Sequence, residues 1–279
     1  MVDLQINPFQ GEEHRAFTLQ GGKPAALLVH GFPGSPDEMR PLATTLHDAG
    51  WTTHALLLPG FGEDFDNVMQ YNNDDWVNAV QTALTALQQS NAPVMLVAHS
   101  LGGALAIQVS AKTAPDALIL TAPFWKVDHI AWKALPIIRY VFPQPKLFKY
   151  LRLDFNKPDI RDGIHNFMPD ADLDDPQVQE AIINYRVPVK LFAQIYRAGQ
   201  KAYRDAPQVN VPALILQGTQ DELVKPHLTQ QMIAQFTGER AYHEVNAEHD
   251  LISPNLPSWS RMQQLIRDFS RQITPEAMR

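Results

Sequence analysis

Five short apolar runs constrain this chain more than any other feature. They cover residues 25–29, 53–58, 93–97, 117–120 and 213–216. Each is continuous rather than alternating, so neither face of a strand formed there can meet water. Strands of that kind belong to mainly parallel sheets covered by helices on both sides. Residues 240–245 read as a last strand and 17–20 as an early antiparallel one. All of these runs are far too short to span a membrane.

Helical patterns fall between the runs. Ser35 or Asp37 caps a helix running towards Asp48, which Gly50 stops. Asp74-Asp75-Trp76 opens another, with Val77, Val80, Leu84 and Leu87 at helical spacing. Residues 103–113 form the helix after the third run. Pro226 suits the first turn of a helix reaching Phe236. Residues 257–273 close the chain, with Met262, Leu265, Ile266 and Phe269 on one face. The expected class is α/β.

One interval breaks the alternation. Residues 123–205 separate two runs that would otherwise be neighbours, and Pro136, Pro143, Pro145, Pro158, Pro169, Pro176 and Pro188 punctuate them. The expected organisation is a core of residues 1–122 and 206–279 with an inserted helical cap at 123–205. The cap holds 13 of the chain's 25 Phe, Trp and Tyr residues. That excess points to an apolar surface, part of it the cap's own core and part facing the mouth of a site.

Composition narrows the function classes. A chain of 279 residues can bury a large core. Its net charge of -7 disfavours nucleic acid as a partner. With no cysteine, disulfides, thiolate chemistry and cysteine-ligated metals are excluded. Met1-Val2-Asp3-Leu4-Gln5 has neither the basic nor the apolar region of a signal peptide. A cytoplasmic protein without stable membrane insertion is expected.

Ala98-His99-Ser100-Leu101-Gly102-Gly103 carries the chemistry. It follows the run at 93–97, and a strand, a sharp turn holding a serine and then a helix make a nucleophile elbow. The turn is crowded, so the positions two before and two after the serine must be small. Gly102 meets this fully, and Ala98 departs from glycine by one methyl. His30-Gly31-Phe32-Pro33-Gly34-Ser35 ends the first run. Backbone N–H groups there can hold a developing oxyanion, one from Phe32 and a second from Leu101 after the nucleophile.

Asp221 lies just past the run at 213–216, and His249 just past 240–245. Both would leave the carboxyl edge of the sheet near Ser100, in the chain order serine, acid, histidine. His249 could then take the Ser100 proton while Asp221 holds its tautomer. Glu222 is an alternative acid. His30 and His99 sit inside the motifs and read as supports rather than as the base. No His-Glu-x-x-His, phosphate loop or G-x-G-x-x-G after a strand occurs, so no metal, nucleotide or other cofactor is expected.

These motifs, with Leu58-Pro59-Gly60-Phe61-Gly62, Asp75-Trp76, Gly218-Thr219-Gln220-Asp221 and Glu248-His249-Asp250, resemble the α/β-hydrolase superfamily. Within it the chain is most similar to the bacterial carboxylesterase and monoacylglycerol lipase group, whose members carry a helical cap. Phe61 stands where relatives often have histidine. The resemblance implies an eight-stranded, mostly parallel sheet and hydrolysis of carboxylic esters by a serine. Phe124 and Trp125, with Trp132, Leu135, Ile137, Ile138, Val141 and Phe142, are apolar enough to hold an acyl chain. Short- to medium-chain esters, monoacylglycerols included, are the expected substrates. Aminopeptidase, haloperoxidase and carbon–carbon hydrolase chemistry, or a non-catalytic ligand receptor, remain alternatives on the same fold. An aminopeptidase would need cap carboxylates, and Asp170, Asp172, Asp174, Asp175 and Glu180 leave that open. Oligomeric state is not legible.

Overall fold

The structure, a computed structural model, describes residues 9, 11–128, 153–157, 160–161, 164, 171–184 and 189–274. The apolar runs are strands β2 (Ala25–Val29), β3 (Thr52–Leu56), β4 (Val94–His99), β5 (Ala117–Thr121) and β6 (Ala213–Gly218). β1 (Phe17–Leu19) and β7 (Arg240–Val245) complete one sheet in the order β1-β3-β2-β4-β5-β6-β7. β1 pairs antiparallel with β3, and every other pairing is parallel.

The sheet has seven strands among the described residues, not the eight that the resemblance implied. Seven is the number of strand patterns in the residues themselves. The eighth had no apolar run of its own behind it.

Burial on both faces explains the continuous runs. Ala25, Leu27 and Val29 of β2 enter one hydrophobic cluster, while Ala26 and Leu28 enter the other. The first cluster is roofed by α2 (Asn73–Ser90), α3 (Leu101–Ser110), α5 (Val189–Asp205) and α6 (Pro226–Ile233). The second is closed by α1 (Arg40–His47) and α7 (Trp259–Ile273). Each fully buried leucine in such a layer contributes about 2 kcal/mol.

Local chemistry sets the element ends. Asn72 caps α2 by accepting from the Asp74 N–H, and the Asp75 carboxylate returns a bond to the Asn72 N–H. The expected helix from Ser35 begins instead as a 3-10 turn, Pro36–Met39, where the Ser35 hydroxyl accepts from the Asp37 N–H. α1 follows it and stops before Gly50, which adopts φ 89°. Within residues 123–205, α4 (Pro176–Asn184) shares a small cluster of its own with Phe155 and Leu173. α5 instead lays Leu191, Ile195, Ala198 and Ala202 into the main core. No helix among the described residues is long and apolar enough to cross a membrane.

Candidate active site

Ser100 sits between the last residue of β4 and the first of α3. Its backbone has φ 48° and ψ -115°, a region that non-glycine residues avoid. Two bonds hold it there. The Ser100 N–H donates to the Thr121 carbonyl at 3.0 Å, and the Phe124 N–H donates to the Ser100 carbonyl at 3.0 Å. A Cβ on Gly102 would lie 2.4 Å from the Val29 carbonyl oxygen, so only glycine lets α3 start this close to β2. Ala98 is fully buried and places its methyl in the core cluster that holds Val29 and Leu120.

The three residues separated in sequence meet at hydrogen-bond distance. His249 Nε2 lies 2.9 Å from Ser100 Oγ, and His249 Nδ1 lies 2.8 Å from Asp221 Oδ2. An ionised carboxylate only accepts, so the proton belongs on Nδ1. Nε2 then offers its lone pair to the serine hydroxyl. The Asp221 side chain is completely buried. Its Oδ1 accepts from the N–H groups of Leu223 at 2.9 Å and Val224 at 2.7 Å. Its Oδ2 also accepts from Gln217 Nε2 at 3.0 Å. Glu222, the alternative acid, faces solvent and pairs with Lys225.

His99 and His30 both stand beside this centre as uncharged rings. The His99 ring centroid is 5.2 Å from that of His249. Burial, helped by the neighbouring His249, lowers the His99 pKa to about 3, and its Nδ1–H points at the Thr121 carbonyl and hydroxyl. Burial lowers His30 to about 4. His30 Nδ1 donates to the Gly31 carbonyl at 2.9 Å, and its Nε2 accepts from the Leu58 N–H at 3.1 Å. It therefore ties the loop after β2 to the loop after β3.

That first loop carries Phe32. A Cβ on Gly31 would sit 3.1 Å from Ser100 Cβ, so the loop lies directly against Ser100. The Phe32 ring packs edge-on against Phe61 at 6.2 Å and Phe192 of α5 at 5.8 Å. Leu101 is the first residue of α3, where helix geometry leaves N–H groups without an intrahelical acceptor.

Of the expected acyl-binding residues, Phe124 and Trp125 are buried in the main core cluster. Trp125 Nε1 donates to the Leu228 carbonyl, and its ring stacks on Tyr203 with centroids 4.2 Å apart. Trp132, Leu135, Ile137, Ile138, Val141 and Phe142 lie outside the described residues, as does Asp170.

Two residues at the site have no motif to announce them. Gln217 bonds Asp221, and its own Oε1 accepts from Thr229 Oγ1 at 2.6 Å. Its spacing of four residues before the acid, at the end of a strand, was the available signal. Glu38 accepts the Gly31 N–H from the turn seven residues on. No sequence pattern distinguishes it from an ordinary exposed glutamate.

The family model described as serine aminopeptidase, S33, matches residues 22–252. The chain belongs to this family of α/β-hydrolases. It is similar to the thermostable monoacylglycerol lipase of Bacillus sp. (strain H-257), with 28% identity over 210 residues covering 75% of each chain. Among solved structures it is similar to one reported for the metagenome-derived lipolytic enzymes LipS and LipT. That match has a TM-score of 0.70 at 19% identity, covering 94% of this chain and 98% of that one. The monoacylglycerol lipase of Paleococcus ferrophilus gives 0.66 at 17%, covering 93% and 100%. At these identities the two structures speak to the fold.

Proposed function

We propose that this protein is a serine hydrolase of carboxylic esters working through an acyl-enzyme. The observation that carries the reading is the relay Ser100–His249–Asp221, with both bonds at or below 2.9 Å. In the first half-reaction Ser100 Oγ attacks the ester carbonyl carbon and His249 Nε2 takes the hydroxyl proton. The oxyanion that forms is held by the N–H groups of Phe32 and Leu101. As the tetrahedral species collapses, the bond to the leaving alkoxide breaks and His249 returns the proton to it. Water then repeats the sequence on the acyl-serine and releases the acid. Asp221 keeps the histidine in the required tautomer and steadies its imidazolium form. Loss of one oxyanion donor would cost about 3 kcal/mol of transition-state stabilisation.

For the substrate, the reading favours short- to medium-chain esters, monoacylglycerols included. Phe32, Phe65 and Phe192, backed by the fully buried Phe61, make an apolar wall beside the oxyanion loop, suited to an acyl chain. The monoacylglycerol lipase and lipolytic relatives point the same way. The zero-cysteine sequence suits a cytoplasmic setting.

The family's description favours a second reading, aminopeptidase. That chemistry needs a carboxylate to hold the substrate's ammonium. Among the described cap residues, Asp174 is engaged by Arg161, and Asp172 and Asp175 accept backbone N–H groups of their own turns. Hydrolysis of p-nitrophenyl esters of increasing chain length, with Ser100→Ala as control, tests the proposal. Turnover that disappears in the variant is expected, and the preferred chain length sizes the pocket. Folded wild-type protein that turns over aminoacyl anilides and no ester would replace the proposal with the second reading.

A further inference from the structure

We infer that Glu38 is a positioning residue of the oxyanion loop, gripping the Gly31 N–H through its carboxyl oxygen. The inference rests on the proposed ester hydrolysis and adds to it a residue outside the triad and the oxyanion donors.

The geometry is specific. Glu38 lies on the 3-10 turn Pro36–Met39, and its Oε1 accepts the Gly31 N–H. Its Oε2 lies against Gly34, where any Cβ would collide with it. The carboxyl group therefore fills the inside of the loop 31–34. Gly31 also packs against Ser100 and His99 and is followed by Phe32, the proposed oxyanion donor. Glu38 thus grips the residue that sets the direction of the Phe32 N–H. A neutral carboxyl group does this through its carbonyl oxygen without adding charge. A carboxylate in the same place would put a negative charge beside the oxyanion that must form.

The surroundings favour the neutral form. Desolvation raises the Glu38 pKa to about 8, and the Gly31 N–H opposes this only in part. Among the described residues no Lys, Arg or His forms an ion pair with it. The charged groups acting on it are Asp250, on the loop after His249, and Asp37, and both push the same way. Arg40 of α1 is bound to Asp37. On the 3-10 turn Glu12–His14 packed alongside, the His14 ring bonds Ser35 and Glu13 lies beside it.

The consequence is a loss of activity on the alkaline side that the triad does not produce. A general base that must be neutral to act gives an activity that rises with pH and then stays level. Ionisation of Glu38 should lower it again above neutrality.

The test is kcat and KM for a short-chain ester from about pH 5 to 9.5, followed by pH-stat, for wild type, Glu38→Gln and Glu38→Ala. Wild type should lose about tenfold in kcat between roughly pH 7 and 9 with KM little changed. Glu38→Gln, an uncharged acceptor of similar shape, should lack this fall. Glu38→Ala should have kcat lowered about tenfold at every pH, with most of the loss recovered by glutamine. An unfolded alanine variant leaves the comparison of wild type with glutamine decisive. A level wild-type profile to pH 9.5, or the same fall in Glu38→Gln, overturns the inference while leaving the esterase reading intact. Absence of ester turnover in wild type removes the esterase reading, and the inference with it.

Discussion

His30 offers a direct measure of what burial does inside this site. It is completely buried, and both ring nitrogens are used, Nδ1 as donor to Gly31 and Nε2 as acceptor from Leu58. Protonating Nε2 would turn that acceptor into a donor facing the Leu58 N–H. Burial lowers its pKa to about 4 in the folded protein, against 6.5 for an exposed histidine, and the bond to the Gly31 carbonyl opposes this only in part. A depressed histidine pKa adds stability above the unfolded value and loses it as pH falls below 6.5, down to about 4. At pH 5 the unfolded chain holds this proton almost fully and the folded chain scarcely at all. Linkage then predicts a loss of about 2 kcal/mol between pH 7.5 and pH 5 from this one residue. The perturbation is His30→Gln, which keeps an acceptor for Leu58 and cannot titrate. The assay is urea unfolding of both proteins at the two pH values. The double difference cancels His99, Glu38 and every other titrating group common to both. Wild type should lose about 2 kcal/mol more than the variant on acidification. Equal losses in the two proteins would refute the assignment of a buried, neutral His30.

Two further perturbations test other parts of the structure. Gln217→Ala removes a donor to Asp221 and the acceptor for Thr229. It should lower kcat about tenfold or more by loosening the acid that orients His249, and wild-type kcat would show that the backbone N–H groups of Leu223 and Val224 suffice. Gly199→Ala would drive a Cβ to within 2.1 Å of the Trp125 carbonyl oxygen. That overpacking should cost about 1–3 kcal/mol in thermal or urea unfolding, and an unchanged midpoint would show that α5 docks less tightly than described.

The parts of this molecule legible in its sequence are those where local chemistry leaves few options. Continuous apolar runs such as residues 25–29 had to be strands covered on both faces, and β2 is one. The serine turn is readable because crowding at Gly102 leaves room only for a hydrogen. Asp221 and His249 could be singled out because chain order and strand ends restrict which residues reach Ser100, and the structure brings them within hydrogen-bond distance. Less accessible were the residues whose role depends on contacts between distant elements. Glu38 looks like any turn glutamate until the loop after β2 folds over it. Phe124 and Trp125 read only as apolar, and apolarity alone does not say whether a side chain lines a pocket, packs in the core or does both. Trp125 is held by Leu228, over a hundred residues away. The strand count erred for the opposite reason, since it was taken from a family likeness rather than from any run of residues here.

One feature of the serine turn bears on how such a protein can change over time. Ser100 at φ 48° and Ala122 at φ 44° both sit, side by side at the ends of β4 and β5, in a backbone region where glycine rests more easily. Conformational preference alone would therefore drift this corner of the molecule towards glycine, and the first such step, at Ser100, would delete the proposed nucleophile. Variants selected only for heat resistance and those selected for turnover should part ways at this residue. A chain of this family with glycine here is better understood as a scaffold freed from chemistry than as a damaged enzyme.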